Sequence, residues 1–158
     1  MKTSGHRSIV DYPARFAEYH PSKSALVSDG VDWSYDELNR RVHRTALWLT
    51  EGLGLERGDR VAVLAMNHPV LFELLFACIR SGLVLAPLNY RLAPRELDAV
   101  LALSGPGVLL ADETFHGVAC SLDYSQRHLV HSLEQLLEAP EDARQFTGMG
   151  AQAEEPVV

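Results

Sequence analysis

The chain has 158 residues, 47% hydrophobic and 22% charged, which suits one globular domain with a real core and excludes a disordered polymer. Its net charge of −7 opposes general binding to nucleic acid or to an anionic membrane. Two cysteines, Cys78 and Cys120, are too few for a disulfide framework.

The first residues, MKTSGHRSIVDYP, contain no long apolar stretch of the kind a signal peptide needs, so the chain reads as cytosolic. The longest apolar run, Val70 to Ile79, holds Glu73 and is too short to span a bilayer. Tyr12 to Tyr19 is amphipathic and stops at His20-Pro21, which predicts a short helix. Ala25 to Ser28 and Val31 to Ser34 flank Asp29-Gly30, the signature of a tight hairpin. Ser34 and Glu37 form an S-x-x-E capping box, and Leu38, Val42, Thr45, Ala46 and Leu49 follow at helical spacing until Gly52 and Gly54 end the helix.

An alternation of buried strands and helices comes next. Val61 to Met66 is a continuous apolar run, as expected of a parallel strand covered on both faces. Val70 to Arg80 is apolar nearly all round, the mark of a buried helix, in which Cys78 reads as a small core residue. Leu83 to Leu88 predicts a second strand. Pro94 opens another helix that Gly105-Pro106 closes, and Val108 to Ala111 is a third strand. The pattern is β-α-β-α-β, an α/β fold with a mostly parallel sheet and flanking helices. Beyond Asp112 it weakens: Ser132 to Glu138 suggests a short helix, and Ala139 to Pro156 reads as a linker. Val157-Val158 resembles the start of another strand. Residues 1–138 are therefore expected to form the α/β unit and 139–158 a flexible lead-out. No internal repeat is visible.

Candidate sites were weighed against plain structural roles. Gly52, Gly54 and Gly58 have the wrong spacing for G-x-G-x-x-G and precede a strand instead of following one, so they read as a helix stop and turn. A Walker loop needs Gly-Lys-Ser/Thr, and neither Lys2 nor Lys23, the only lysines, follows a glycine. His116, Cys120, His128 and His131 could supply zinc ligands, but H-x3-C-x7-H-x2-H matches no common zinc spacing; no metal site is assigned. Arg40, Arg41 and Arg44 read as a solvated helix face. Asn67 either lines a crevice at a strand's carboxyl end or caps the Val70 helix, and capping is favoured. Arg91 lies just past the Leu83 strand, where a guanidinium either grips a phosphate bidentately or pairs with Glu96 or Asp98.

Five segments occur in order: Trp33 to Leu38 (WSYDEL), Gly58 to Val63 (GDRVAV), Asn67, Ser81-Gly82, and Pro87 to Leu92 (PLNYRL). The series resembles the N-terminal part of the adenylate-forming superfamily, in its acyl-CoA synthetase and aryl-CoA ligase branch, over roughly Ala14 to Asp112. The resemblance implies an ATP-dependent, AMP-forming ligase that activates a fatty or aryl carboxylic acid as an acyl-adenylate and passes the acyl group to CoA, with Mg2+ present. It implies a CoA-phosphate contact for Arg91 and structural roles for Pro87 and the glycines. The family's Ser/Thr/Gly-rich phosphate loop ending in Pro-Lys and its C-terminal adenylation lysine have no counterpart, since no lysine follows Lys23. No catalytic residue is therefore assigned, the chain alone is expected to be inactive, and tight binding of ATP, Mg2+ or CoA is not expected. The competing reading is a non-catalytic α/β interaction module that self-associates through an open sheet edge. An in-frame Pro-Lys phosphate loop in the DNA beyond Val158 would favour the ligase reading over the module.

Overall fold

The computed structural model describes residues 12–28, 30–126, 130–133 and 136. The expected linker and the Val157-Val158 strand start lie outside them.

Helix α1 (Tyr12–Tyr19) and an antiparallel hairpin, β1 (Ser24–Ser28) with β2 (Val31–Ser34), precede helix α2 (Tyr35–Leu47). Ser34 accepts from Glu37 N–H at 3.2 Å and so opens α2. The reciprocal half of the box is not made. Glu37 gives its carboxylate to Arg40 at 2.5 Å instead. A π-helical turn, Trp48–Gly52, ends this segment; Leu53 N–H reaches back five residues to Trp48 O at 2.9 Å. Gly52 lets the Trp48 ring lie close against the turn: a Cβ there would sit 3.0 Å from Trp48 Cδ1, so the ring would have to shift.

The remaining elements are β3 (Arg60–Leu64), α3 (Val70–Ser81), β4 (Val84–Pro87), α4 (Pro94–Ser104), β5 (Val108–Ala111), α5 (Glu113–Ser121) and β6 (Val130–Ser132). Their four strands form a parallel sheet in the order β4-β3-β5-β6. The three expected strands sit within a few residues of their apolar runs. Helix α5 and strand β6 extend the pattern past Asp112, where the sequence signal weakens. Ser132 closes β6 and does not start a helix; Leu136, farther on, is helical and buried.

The sheet has a core on each face. Val61 and Val63 of β3 with Val108 and Leu110 of β5 meet Val70, Leu74, Ala77 and Cys78 of α3 and Ala46 of α2. Ala62, Leu64, Leu109 and Ala111, the alternate residues, meet Leu97 and Leu101 of α4 and Ala119 of α5. Two-sided burial explains why β3 and β5 read as unbroken apolar runs. Each buried valine or leucine there contributes about 1.5–3 kcal/mol on leaving water.

One polar cluster lies inside the first core. Glu73 of α3 is wholly buried and accepts from Arg41 Nε at 2.7 Å and from Thr45 Oγ1. The Arg41 guanidinium carbon lies 4.1 Å from the Trp33 ring centroid, and Arg41 Nη2 is buried with no hydrogen-bond partner among the described residues. The ring face takes the place of that missing acceptor. Arg44 also turns inward, reaching Leu136 O at 3.4 Å. The solvated basic face expected of Arg40, Arg41 and Arg44 is thus wrong for two of the three. Only Arg40, paired with Asp36 and Glu37, fits it. Burial pushes the Glu73 carboxyl above the ordinary carboxylate range, and Arg41 and Thr45 offset that only in part.

Candidate functional site at the carboxyl edge of the sheet

From β3 the chain moves outward to β4; from β5 it moves the other way, to β6. Helix α3 packs on one face, α4 and α5 on the other. The gap between β3 and β5 is therefore the topological switch point, where open α/β sheets hold ligands beyond the carboxyl ends of their strands.

A cleft of about 200 Å³ opens there, lined by Met66, Asn67, His68, Val70, Asp112, Glu113, Thr114 and Leu133. Asp112 builds its floor. One carboxylate oxygen accepts from Met66 N–H at 2.9 Å, the other from Phe115 N–H at 3.0 Å, so a single side chain caps α5 and ties it to the exit of β3. Asn67 lines this cleft and does not cap α3. His68 Nδ1 does that work, accepting from Val70 N–H at 3.2 Å, because Pro69 holds the cap position and offers no side-chain acceptor. With Asp112 and Glu113 on its wall the cleft is acidic, the wrong sign for a phosphate.

The exit of β4 has the opposite character. Asn89 Oδ1 accepts from Arg91 N–H at 3.0 Å and Asn89 O from Leu92 N–H at 3.1 Å, a local turn that fixes the backbone at Arg91. Both carboxylates that might have paired with Arg91 are used elsewhere. Glu96 accepts from Ala93 N–H at 2.8 Å at the start of α4, and Asp98 accepts from Tyr124 N–H at 3.4 Å. Arg91 is exposed and has no ion pair among the described residues. Its guanidinium carbon lies 5.7 Å from the Tyr90 ring centroid.

The zinc candidates do not converge. His116 Nδ1 and Cys120 Sγ are 3.7 Å apart, one turn along α5. His131 instead packs edge-on against Trp48, in the core of the other face, with ring centroids 5.6 Å apart. His128 lies outside the described residues. Among the described residues no three His, Cys, Asp or Glu side chains gather into a set that could hold a metal ion. The two thiols differ sharply: Cys120 is exposed, while burial pushes the Cys78 thiol up to about 12. No described helix is long and apolar enough to cross a membrane.

The chain is thus an α/β protein with a parallel sheet, a switch point between β3 and β5, and an exposed arginine, Arg91, beyond β4. The profile of the AMP-binding enzyme family matches residues 13–156, and the chain belongs to that family. It is 44% identical over 105 residues to a feruloyl-CoA synthase from Amycolatopsis sp., covering 66% of this chain and 21% of that one. It is 34% identical over 109 residues to the fatty acid–[acyl-carrier-protein] ligase ScoC of Streptomyces coeruleorubidus, covering 69% and 21%. Among solved structures it is similar to VinN, seen with 3-methylaspartate, with a TM-score of 0.75 and 27% identity over 94% of this chain and 40% of that one. The chain thus spans about a fifth of the length of these curated relatives.

Proposed function

We propose that this chain is the opening part of an AMP-forming acid–CoA ligase, acting on a fatty or aryl carboxylic acid in the cytoplasm, and that Arg91 contacts a phosphate of the CoA nucleotide. The observation that carries the reading is Arg91 itself: a guanidinium at the carboxyl edge of the sheet, its backbone pinned by Asn89 and its two potential carboxylate partners engaged elsewhere. A planar fork of that kind matches a phosphate bidentately.

The described residues do not form a site that fits ATP with Mg2+. The switch-point cleft is acidic, no set of metal ligands gathers among the described residues, and no lysine follows Lys23. The described residues therefore supply neither a lysine after Lys23 nor a set of metal ligands to stabilise phosphoryl charge in adenylation. The role left to them is structural support and one contact to the acyl acceptor. The pure chain is expected to show no carboxylate-dependent ATP–pyrophosphate exchange; measurable exchange would sink this division of labour. In the full-length ligase, Arg91→Ala is expected to weaken use of CoA by about ten-fold or more and to spare acyl-adenylate formation, the loss of a charge-assisted contact of roughly 1.5–3 kcal/mol. Equal loss in both half-reactions would remove Arg91 from the CoA site.

A further inference from the structure

Three side chains stand in series at the exit of β4. Phe115, in the first turn of α5, lies with its ring 5.5 Å from that of Tyr90, the planes inclined by 32°. Tyr90 in turn has the Arg91 guanidinium 5.7 Å from its centroid. Phe115 is itself held, since its N–H is capped by Asp112, whose other oxygen binds the exit of β3. Tyr90 and Phe115 both pack against the core of the α4–α5 face. The series therefore runs from a fixed helix start, through two rings, to an exposed cation.

We propose that Tyr90, buttressed by Phe115, is a positioning residue for Arg91. Its ring face restricts the guanidinium to the rotamers that present the fork to a phosphate. This rests on the reading of Arg91 given above. A guanidinium offers two separate surfaces: its flat face for an aromatic ring, and its N–H edges for phosphate oxygens. A guanidinium held over the Tyr90 ring therefore keeps its donors available, while the contact removes side-chain freedom that binding would otherwise have to remove. Asn89 does the same for the backbone. Backbone and side chain are thus both arranged before any ligand arrives.

The test uses the 158-residue chain labelled with 15N, following the Arg91 Nε–Hε signal, which is assigned by its loss in Arg91→Ala. Without ligand, relaxation of that signal is expected to report a restricted side chain that becomes markedly more mobile in Tyr90→Leu and Phe115→Leu but not in Tyr90→Phe. With CoA as the probe, Tyr90→Leu is expected to bind about two- to five-fold more weakly, with Tyr90→Phe at the wild-type value. In an Arg91→Ala background, Tyr90→Leu is expected to cost nothing further. A ring that merely supports the fold would weaken binding in both backgrounds, and that result overturns the proposal. Equal mobility in Tyr90→Leu and wild type also overturns it. If CoA leaves the wild-type Arg91 signal unmoved, the phosphate reading fails first. The ligand-free relaxation then still decides whether Tyr90 positions the side chain.

Discussion

Replacing Arg41 with methionine isolates the electrostatics buried between α2 and α3. Methionine keeps the unbranched apolar stem and removes the guanidinium that donates to Glu73 at 2.7 Å. Glu73 has no exposed surface, so it is left with Thr45 as its hydrogen-bond partner and no neighbouring charge bonded to it. Stranding one member of a buried ion pair costs about 3–5 kcal/mol. That is a large part of a stability of about 5–15 kcal/mol. The cost should depend on pH. In the wild type the buried carboxyl already holds its proton more tightly than in the unfolded chain. The native state therefore binds more protons between the ordinary and the raised pKa, and stability falls as pH rises through that window. It is greatest below the unfolded value. Loss of Arg41 removes a downward influence, so the window widens upward, and each further unit adds about 1.4 kcal/mol to the penalty at high pH. Urea unfolding followed by tryptophan fluorescence should show Arg41→Met losing clearly more stability at about pH 8 than at about pH 5. The double variant Arg41→Met/Glu73→Leu should recover most of the loss. An equal loss at both pH values, with no recovery in the double variant, would mean that Arg41 matters only through packing on Trp33.

Three further outcomes follow from single contacts. Ser34→Ala removes the acceptor for Glu37 N–H and should cost about 1 kcal/mol in urea unfolding, since the box has no second half to compensate. Asp112→Ala frees Met66 N–H and leaves Phe115 N–H only the Asp112 carbonyl at 3.1 Å; it should cost about 1–3 kcal/mol, with faster hydrogen exchange at Met66, and unchanged protection there would refute the bridging role. Arg91→Ala should leave unfolding stability within about 0.5 kcal/mol of wild type, because an exposed side chain without an ion pair contributes little to the fold.

The strands legible from composition alone are those whose burial is symmetric. Strands β3 and β5 are covered on both faces, so their composition alone marks them. Helix α5 was missed because ETFHGVACS has a mid-helix glycine and only a weak apolar stripe. Its start depends on the Asp112 cap, and its hold on the sheet on Ala119. Strand β6 is three residues long and takes its register from β5, a tertiary fact. The arginine cluster was misread because charge was equated with solvent. Arg41 sits on the same helical stripe as Leu38, Val42 and Thr45, and Glu73 interrupts an otherwise apolar helix. Opposite charges, each embedded in an apolar stripe, were the available signal for a buried pair. Arg91 could be found from its place after Pro-Leu-Asn. Its support by Tyr90 and Phe115 could not, because half of it comes from the unread helix.

The contrast between the two cysteines gives the molecule a built-in clock. Cys120 is open to a water-soluble thiol reagent at once, whereas Cys78 lies on the buried side of α3 with its thiol pushed up to about 12. A reagent in excess therefore reads the chain twice, first as a fast stoichiometric tag on α5, then as a slow second event. The rate of that second event counts how often the α3 face of the sheet opens to solvent, with no label introduced by mutation.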